Sequence, residues 1–398
     1  MSKDTKTVLD IDVNSILDDF ADLPDPRSHI NRRHLLGDLV VICIMAVIAG
    51  ADGPKAIGGW ATSNDSWLKD RLQLPGGIPS HDTLGRLLMA LKPAAFQSCF
   101  AAWIRRLGAS REHGGREIVA IDGKSLRRSH DRAAGLGPLC VVSAWAVRSG
   151  ISLGQLATEE KSNEITAIPE LVDAIDVKGA IVTIDAAGCQ KAIASKIIEA
   201  GGDYVLTLKG NQEALHEAVV ECFDAHIEND FSNPALRKHT EALKGHGRTD
   251  EITYIQTPVP AGLLGRHHWK GMRTIGVAIR TSTQADKTTH DVRYYISSLR
   301  MGIKQFAACV RGHWGIENTL HWCLDVTFRE DESRVRNRTL ADNVAWLKRF
   351  AISLLKQVDD KESIAMRRRM AGWNPTYLFK PIFYSWRPFR RREPLFLP

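Results

Sequence analysis

Two short apolar runs, each ending at an aspartate, constrain the fold of this chain most strongly. Residues 118–121 read IVAI and stop at Asp122, and residues 180–184 read AIVTI and stop at Asp185. Continuous apolar runs of this length are typical of buried strands. In α/β sheets, ligands bind where such strands end. We therefore expect a sheet that carries carboxylates at the ends of two buried strands.

The segments around these runs indicate a mixed α/β sheet. Further strands are predicted at 139–147, 151–158 and 204–208, with helices at 165–175, 191–200 and 212–225. Three strands followed by alternating helices and strands are typical of a mixed sheet covered by helices. Strand patterns at 251–257, 274–280 and 292–296, separated by loops rich in Lys, Arg and His, predict a β-rich insertion at about 240–300.

The first 110 residues predict an all-helical domain. An apolar helix at about 35–49 is broken at Gly50, and its most apolar part, 39–49, is about half as long as a membrane span. Ser80 is a typical N-cap for a later helix, and Pro93 is a favourable first-turn residue for the next. Arginines on these short helices fit DNA contact, and a plain helical bundle fits the same pattern.

A later segment, 311–331, is predicted to be a helix with one buried face. Apolar side chains recur at helical spacing before and within it, at Ile303, Phe306, Val310, Trp314, Leu320 and Leu324. Glu317 is expected on or beside this face rather than in solvent, with His313 and His321 pointing the same way. A bare charge is costly to bury, so the carboxylate must be paired, protonated or bound to a cation. For Trp314 and Trp322, core packing is favoured over stacking on a flipped base.

The distributions of charge and of cysteine indicate which partners and which compartment suit the protein. The formal net charge is +7, and residues 361–398 alone hold nine basic residues against two acidic ones. This basic tail is interleaved with aromatic residues and fits nucleic-acid contact; a solvated terminus whose aromatics dock on the core fits equally well. The seven cysteines lie far apart without a CxxC pair, and no signal peptide is recognisable. Both features favour a reducing cytosol.

The three acids together indicate a divalent cation. If the two aspartate-terminated strands are neighbours, Asp122 and Asp185 lie side by side, and a proton or a cation must relieve their repulsion. With Glu317 added, three hard oxygen ligands suit Mg²⁺ or Mn²⁺ better than zinc. Two such ions can activate water on one side of a phosphodiester and stabilise the leaving oxygen on the other. Two alternatives stay open from the residues alone: each aspartate is only a turn former or N-cap, or His313, Glu317 and His321 form a zinc-binding face.

Nine short motifs follow one another along the chain. They are DLPDPR at 22–27, NRRH at 31–34, GIPSHDT at 77–83, AIDGK at 120–124, VTIDA at 182–186, GHGR at 245–248, YYISSL at 294–299, HWGIENTLHW at 313–322 and AGW at 371–373. Each is weak alone, but together and in this order they are specific. The chain resembles bacterial insertion-sequence transposases of the DDE class, specifically the H-repeat-associated type.

The resemblance implies a domain organisation. An RNase H-like catalytic core is expected at 115–360, with the β-rich insertion at about 240–300 within it. A helical, transposase-associated domain is expected at 1–110, and a basic, aromatic-rich tail at 361–398.

The resemblance also implies a site and partners. Asp122, Asp185 and Glu317 are the expected catalytic residues and the ligands of two Mg²⁺ (or Mn²⁺) ions. The expected partner is double-stranded DNA, as terminal inverted repeats and as target, bound by a homodimer or a larger assembly. The expected location is the cytoplasm, at the nucleoid when DNA is bound, with no membrane partner.

The surroundings of the glutamate depart from those of related insertion-sequence transposases, which carry Tyr, Arg and Lys at offsets −7, −4 and +7. Here Val310, His313 and Leu324 occupy those positions, so the strand-contacting role of that set cannot be transferred. DNA contact is predicted instead from charge and position, at Lys124, Lys209, Arg248, Arg311, His313, Arg367, Arg368 and Arg369.

These observations predict a metal-dependent DNA transposase, which nicks insertion-sequence ends by phosphodiester hydrolysis and joins them to target DNA. Two alternatives remain. One is a decayed or domesticated DNA-binding protein that keeps the fold without the chemistry. The other is a metal-dependent nuclease of the same fold.

Overall fold

The chain, seen here as a computed structural model, divides into two compact units. The structure describes residues 17–18, 20–30, 32–109, 115–158, 164–228, 233–245, 248–284 and 287–382. A helical unit draws on residues up to 112, on 127–130 and on residues from 323 onward. A sheet-containing unit comprises 113–126 and 131–322.

Helices and strands follow the predicted order closely. The helices are α1 (Leu36–Ile48), α2 (Pro54–Ser63), α3 (Asp65–Lys69), α4 (His81–Ala90), α5 (Pro93–Ala109), α6 (Glu164–Ala174), α7 (Lys191–Glu199), α8 (Glu213–Glu228), α9 (Ile303–Ile316), α10 (Arg338–Gln357), α11 (Ile364–Trp373) and α12 (Pro375–Ile382). The strands are β1 (Ile118–Ser125), β2 (Cys140–Ala146), β3 (Ile151–Thr158), β4 (Ile181–Ile184), β5 (Asp203–Leu208), β6 (Arg237–Gly245), β7 (Arg248–Pro258), β8 (Thr274–Gln284) and β9 (Lys287–Ser297).

Within the described part of the chain, nine strands form one mixed sheet in the order β3-β2-β1-β4-β5-β9-β8-β7-β6. The strands β1, β4 and β5 are parallel, whereas every other neighbouring pair is antiparallel. The prediction of a mixed α/β sheet is therefore confirmed, and β1 and β4 are neighbours in it. The expectation that β1 ends at Asp122 was wrong, because β1 continues to Ser125 in its pairing with β2, whereas β4 ends at Ile184, directly before Asp185.

Both faces of the central strands are covered. Val119 and Ile121 of β1 share an apolar cluster with side chains of α6, α7 and α8, whereas Ile118 shares a second cluster with Phe306 of α9. Successive residues of a strand point to opposite faces. Because both faces are apolar here, β1 and β4 show no polar alternation, and the sequence accordingly shows continuous apolar runs.

The predicted β-rich insertion is an extension of the same sheet. Its last strand, β9, pairs with β5, and β6 to β8 continue outward as an antiparallel ribbon. The sequence indicated three strands here and missed β6, whose residues RKHTEALKG carry almost no apolar side chains. An edge strand of this kind is held by backbone hydrogen bonds to β7 rather than by a buried face.

The helical unit is built around α10, which lies beyond Glu317 in the chain. All of its residues from Leu340 to Leu355 are buried, and it packs against α1, α4 and α5. Phe100 meets the rings of Trp346 and Phe350 edge-on, with centroids 4.5 and 4.3 Å apart. In the chain, the last boundary between the two compact units follows Trp322. No described helix combines the length and the apolar character that crossing a membrane requires.

Candidate active site

The centre of the candidate site is the pair Asp122 and Asp185. Ile121 of β1 lies opposite Ile184 of β4 in the parallel ladder, so the two aspartates are the next residues on neighbouring strands. Neighbouring strands run about 4.8 Å apart. The two aspartates are therefore neighbours where the β1–β4 ladder ends, at the carboxyl end of β4, which is where α/β proteins bind ligands.

Local hydrogen bonds hold one oxygen of each carboxylate. The Gly123 N–H donates to Asp122 Oδ1 at 2.9 Å, and the Gly188 N–H donates to Asp185 Oδ1 at 3.2 Å. Asp185 therefore has the turn-forming role that the sequence left open, whereas Asp122 lies within β1. These bonds fix the direction of each carboxylate and leave the Oδ2 atoms for other partners.

The pKa of Asp122 is raised by burial and by the acids around it. Burial, followed by the negative charges of Asp185, Glu164 and Glu317, raises the pKa of Asp122 to about 7, and the Gly123 hydrogen bond opposes this shift. Near neutral pH this carboxyl group is therefore close to half protonated. A bound cation would relieve the same repulsion.

Glu317 differs from its predicted setting. The helix α9 ends at Ile316, and Glu317 opens a π-helical turn that runs to His321; a second π-helical segment is Cys323–Thr327. The predicted apolar positions Phe306, Val310, Leu320 and Leu324 are buried, as expected. The Glu317 side chain itself is exposed, so its predicted place out of solvent was wrong. The wider turn breaks the 3.6-residue spacing on which that prediction rested, and π-helical turns are frequent at functional sites.

The two histidines flanking Glu317 contact the two strands. The Nδ1 of His313 lies 3.2 Å from the Thr183 hydroxyl of β4, and the Nδ1 of His321 lies 3.6 Å from Asp122 Oδ2. Burial lowers the pKa of His313 to about 4 against the opposing charge of Asp185, so its ring is neutral at pH 7. The predicted phosphate contact of His313 therefore lacks a positive charge.

The two tryptophans of this segment differ in how far they are buried. Trp314 packs partly against the apolar cluster of α9, with the Arg293 guanidinium 5.1 Å from its ring centroid. Trp322 is 55% exposed, so the prediction that it packs in the core was wrong.

The donor set suits a hard divalent cation. Carboxylate oxygens are the ligands that Mg²⁺ and Mn²⁺ prefer. The nearby Cys140 thiol has its pKa raised to about 11, chiefly by burial, and so stays protonated and is a poor ligand. Across the described residues, no three or more His, Cys, Asp or Glu side chains are already arranged to hold a metal ion. The zinc-binding face is therefore not formed, and the acids are not gathered into a closed set of ligands.

Four of the residues predicted to contact DNA differ in exposure and in their neighbours. Lys209 is exposed directly after β5, and Arg311 is exposed on α9 with its guanidinium 2.6 Å from Glu241. Lys124 is nearly buried in β1. Arg248 begins β7, but its side chain lies outside the described part of the chain.

Two other predicted DNA contacts require correction. Arg367 and Arg368 of α11 are buried within the helical unit. Arg367 donates to Asp360 and to the Leu355 carbonyl. Arg368 donates to the carbonyls of residues 47, 51 and 327 and to the carboxylate of residue 52. These guanidinium groups stabilise the helical unit and are too buried to contact a phosphate.

The rest of the predicted tail is only partly described. Arg369 is exposed, and Trp373 is 70% exposed. Tyr377 is buried, and its hydroxyl donates to Asp360 at 2.7 Å. The arginines at 387 and 390–392 lie outside the described residues.

Three side chains near the site were missed from the sequence. Glu164, the first residue of α6, is buried beside Gly123 and accepts a hydrogen bond from Cys140. Asn211 and Gln212 follow β5 and donate to backbone carbonyls of the loop after Asp185. From the sequence, Asn211 and Gln212 could have been predicted only by the rule that ligands bind at the ends of strands. An acid in the first turn of a helix, such as Glu164, is normally explained by the helix dipole.

Comparison with known proteins places the chain in a family. The transposase DDE domain family matches residues 113–355, and the DDE_Tnp_1-associated family matches residues 17–104. The “H repeat-associated putative transposase YhhI” of Escherichia coli (strain K12) is 36% identical over 375 residues, covering 92% of this chain and 97% of that protein. The “Putative transposase YncI” of Escherichia coli O157:H7 is 38% identical over 371 residues, covering 92% and 94%.

Among solved structures, the cryo-EM structure of the piggyBac transposase synaptic complex with hairpin DNA covers 95% of this chain and 79% of that chain. Its TM-score of 0.38 and sequence identity of 11% are too low to support an argument. The family matches and the two E. coli relatives span most of the sequence. This chain therefore belongs to the transposase DDE domain family and is a relative of its H-repeat-associated members.

Proposed function

We propose that this protein is a metal-dependent DNA transposase, which nicks the ends of an insertion sequence and joins them to target DNA. The observation that carries the proposal is the adjacency of Asp122 and Asp185 on two parallel central strands. The strand order β3-β2-β1-β4-β5, with β1, β4 and β5 parallel, supports an RNase H-like core as part of the proposal. Membership of the transposase DDE domain family supports a DNA-cutting enzyme.

The carboxylates fit a divalent cation in donor chemistry and in charge. Asp122 and Asp185 would hold two Mg²⁺ (or Mn²⁺) ions, and Glu317 would complete one of the two sites. When bound, such ions activate the attacking oxygen and stabilise the leaving oxygen of the phosphodiester. Asp122 has a pKa of about 7 and must lose its proton to act as a ligand, so metal affinity should rise with pH.

The proposed reaction has two steps at one centre. Water first breaks the bond between phosphorus and the 3′-oxygen at the end of the element. The freed 3′-hydroxyl then attacks a target phosphodiester, so one bond is made as another is broken. No side chain forms a covalent intermediate.

Double-stranded DNA is the proposed partner, both as terminal inverted repeats and as target. Lys209, Arg311 and Arg369 are the exposed cations among the predicted contacts whose side chains are described, and they are the ones we propose for phosphate binding. Phosphate contacts make affinity fall steeply with salt. We also propose that a homodimer or larger assembly forms on DNA, because two ends must meet at one target, and that the bound protein lies at the nucleoid.

A cleavage assay tests the proposal. The full chain is incubated with Mg²⁺, a target plasmid and DNA carrying the inverted repeats that flank its gene. A transposase gives nicks that disappear in EDTA and products joined to the plasmid. A nuclease of the same fold gives nicks without joined products, and a DNA-binding protein gives only a mobility shift.

Substitutions in the three acids test the site. Asp122→Ala, Asp185→Ala and Glu317→Ala are each expected to abolish nicking and to leave DNA binding nearly intact. Glu170→Gln, at an exposed position of α6, is the control and should nick like the wild type. A member of the three that nicks at the wild-type rate does not belong to the site.

A further inference from the structure

We propose that five exposed arginines of the helical unit form a surface that binds the phosphates of double-stranded DNA within a few base pairs of the point of cleavage. This arginine surface comprises Arg127, Arg128, Arg329, Arg334 and Arg336. The inference rests on the proposed function and adds to it a DNA contact that lies outside the nine sequence motifs. Four observations support it.

The first observation is that two segments of the helical unit are fixed to each other. The Nε atom of Arg127 lies 3.2 Å from Asp331 Oδ2, and Arg338 Nη1 donates to the Ser129 carbonyl at 3.3 Å. Both segments belong to the same compact unit. The short segment that follows β1 therefore contacts residues 331–338 at both ends, and the remaining arginines of that stretch lie between the two contacts.

The second observation is that the stretch between these contacts directs arginines outward. From Ser333 to Arg336, half-buried and exposed residues alternate, and the exposed ones are Arg334 and Arg336. No carboxylate of the described residues pairs with either of these two arginines. Both guanidinium groups are therefore available to an anion from solution.

The third observation is an excess of positive charge within the two segments. The five exposed arginines are accompanied there by Asp331 and Glu332. Glu330 belongs to the same stretch, but it is buried and forms an ion pair with Arg349 at 2.8 Å, so its charge is already compensated. Arginines that outnumber their acids on a surface attract a polyanion.

The ion pairs on this surface can be exchanged for phosphate. Arg329 donates to Glu332, whose pKa is lowered first by this hydrogen bond and also by the charge of Arg128. The charge of Asp52 reaches Arg329 too, but Asp52 accepts a hydrogen bond from Arg368. Exposed ion pairs contribute little free energy, so a phosphate can replace the carboxylate. A guanidinium group also matches phosphate with two parallel hydrogen bonds.

The fourth observation is the short length of chain between this surface and the candidate site. Arg127 comes five residues after Asp122, and β1 ends between them at Ser125. A chain spans at most about 3.6 Å per residue, so the two backbone positions are at most about 18 Å apart. Duplex DNA advances about 3.4 Å per base pair, so this distance corresponds to about five base pairs. DNA cleaved at the site would therefore have phosphates within reach of Arg127.

DNA binding by the full chain in EDTA, measured as a mobility shift at several salt concentrations, tests the inference without metal or cleavage. Arg334→Gln combined with Arg336→Gln should reduce the slope of log affinity against log salt by about two, and the affinity at about 0.1 M salt should fall about 10- to 100-fold. Lys178→Gln combined with Arg273→Gln is the control, because it removes the same charge from exposed positions near the amino ends of β4 and β8. A wild-type slope in the first variant would overturn the inference.

A second variant should act in the opposite direction. Glu332→Gln removes a carboxylate that competes with DNA for Arg329 and Arg128, so it is expected to strengthen DNA binding several-fold. Glu170→Gln removes the same charge from an exposed position of α6 and should bind DNA like the wild type. Unchanged or weaker binding by Glu332→Gln would overturn the inference, even if the double arginine variant did not fold.

The choice of DNA separates phosphate contact from base recognition. Phosphate contacts carry no sequence information, so the double arginine variant should lose the same factor in affinity for the terminal repeats and for an unrelated duplex. A loss confined to the terminal repeats would overturn the inference.

The wild type separates this inference from the proposed function. If the wild type nicks and joins DNA and the double arginine variant binds DNA normally, only the arginine surface fails. If the wild type binds no DNA, the proposed function fails and the arginine surface with it.

Discussion

The imidazole Nδ1 of His321 lies 3.6 Å from the Oδ2 atom of Asp122. This distance is long for a hydrogen bond but short enough for an electrostatic interaction. His321 ends the π-helical turn that Glu317 begins, whereas Asp122 lies on β1. The contact therefore connects the segment carrying the third acid to the strand carrying the first.

Removing this contact should impair catalysis more than DNA binding. His321→Leu is expected to lower the nicking rate about 10- to 100-fold, because groups that orient metal ligands have effects of that size. His321→Gln keeps a polar nitrogen and should retain more of the activity. Rates measured at saturating DNA separate the two effects, and wild-type rates in both variants would contradict the prediction.

Stability should depend on pH through Asp122. Its pKa is raised from 3.8 to about 7, so the folded chain holds this proton more tightly than the unfolded chain. The free energy of unfolding contributed by this group therefore falls as pH rises from about 4 to about 7 and is constant outside that window. Asp122→Asn cannot ionise, so across the window it should gain on the order of a few kcal/mol relative to the wild type.

Urea unfolding in EDTA at several pH values measures this difference. Asp359→Asn is the control, because that carboxylate is exposed. If the difference between Asp122→Asn and the wild type stays constant between about pH 4 and pH 8, the linkage to Asp122 is wrong.

Substitutions of Asn211 and Lys209, which both follow β5, should have different effects. The Asn211 side chain donates to the Ala186 carbonyl at 2.7 Å and so holds the loop that follows Asp185. Asn211→Ala is expected to weaken Mn²⁺ binding and lower kcat about tenfold with little change in KM for DNA. Lys209→Ala should leave Mn²⁺ binding unchanged and reduce the salt dependence of DNA affinity by about one unit of slope. An effect of Asn211→Ala on KM alone would contradict a positioning role.

The buried arginine of α11 should matter for stability rather than for DNA binding. Arg368→Met removes the hydrogen bonds that Arg368 donates to the Asp52 carboxylate and to three backbone carbonyls, and the expected loss in the free energy of unfolding is about 3 kcal/mol. Arg369→Met, at the exposed neighbouring position, should change stability by less than about 0.5 kcal/mol. Urea unfolding measures both. A stable Arg368→Met that has lost DNA affinity would restore the original prediction.

Close packing of α9 on the sheet should make Gly276 sensitive to substitution. A Cβ at Gly276 would meet the Phe306 ring, with Cε2 at 2.8 Å, so Gly276→Ala should destabilise the protein by about 1–3 kcal/mol. Gly59→Ala, at an open position of α2, should instead stabilise it by about 0.5–1 kcal/mol. Adding Phe306→Leu to Gly276→Ala should cost less than the two separate changes together, and strict additivity would argue against the contact.

Much of the fold could be predicted from the sequence because it rests on local patterns. The continuous apolar runs before Asp122 and Asp185 mark strands covered on both faces, and the family motifs cover most of the chain. Ser80 caps α4 as expected, accepting from the Thr83 N–H. The strand β6 was not predicted, because an edge strand is stabilised mainly by backbone pairing. Backbone pairing leaves no periodic pattern of apolar side chains in the sequence.

The sequence by itself determined that two acids directly follow two buried apolar runs, because burial on both faces demands uninterrupted apolar residues. Only the tertiary structure decided which further groups meet them. It brought Glu164 against Gly123, exposed Glu317 on a π-helical turn, and buried Arg367 and Arg368 against carbonyls distant in sequence. The physical reason is that a polar side chain takes its environment from the partners that desolvate or pair with it. Those partners come from other elements, and no spacing within one segment encodes them.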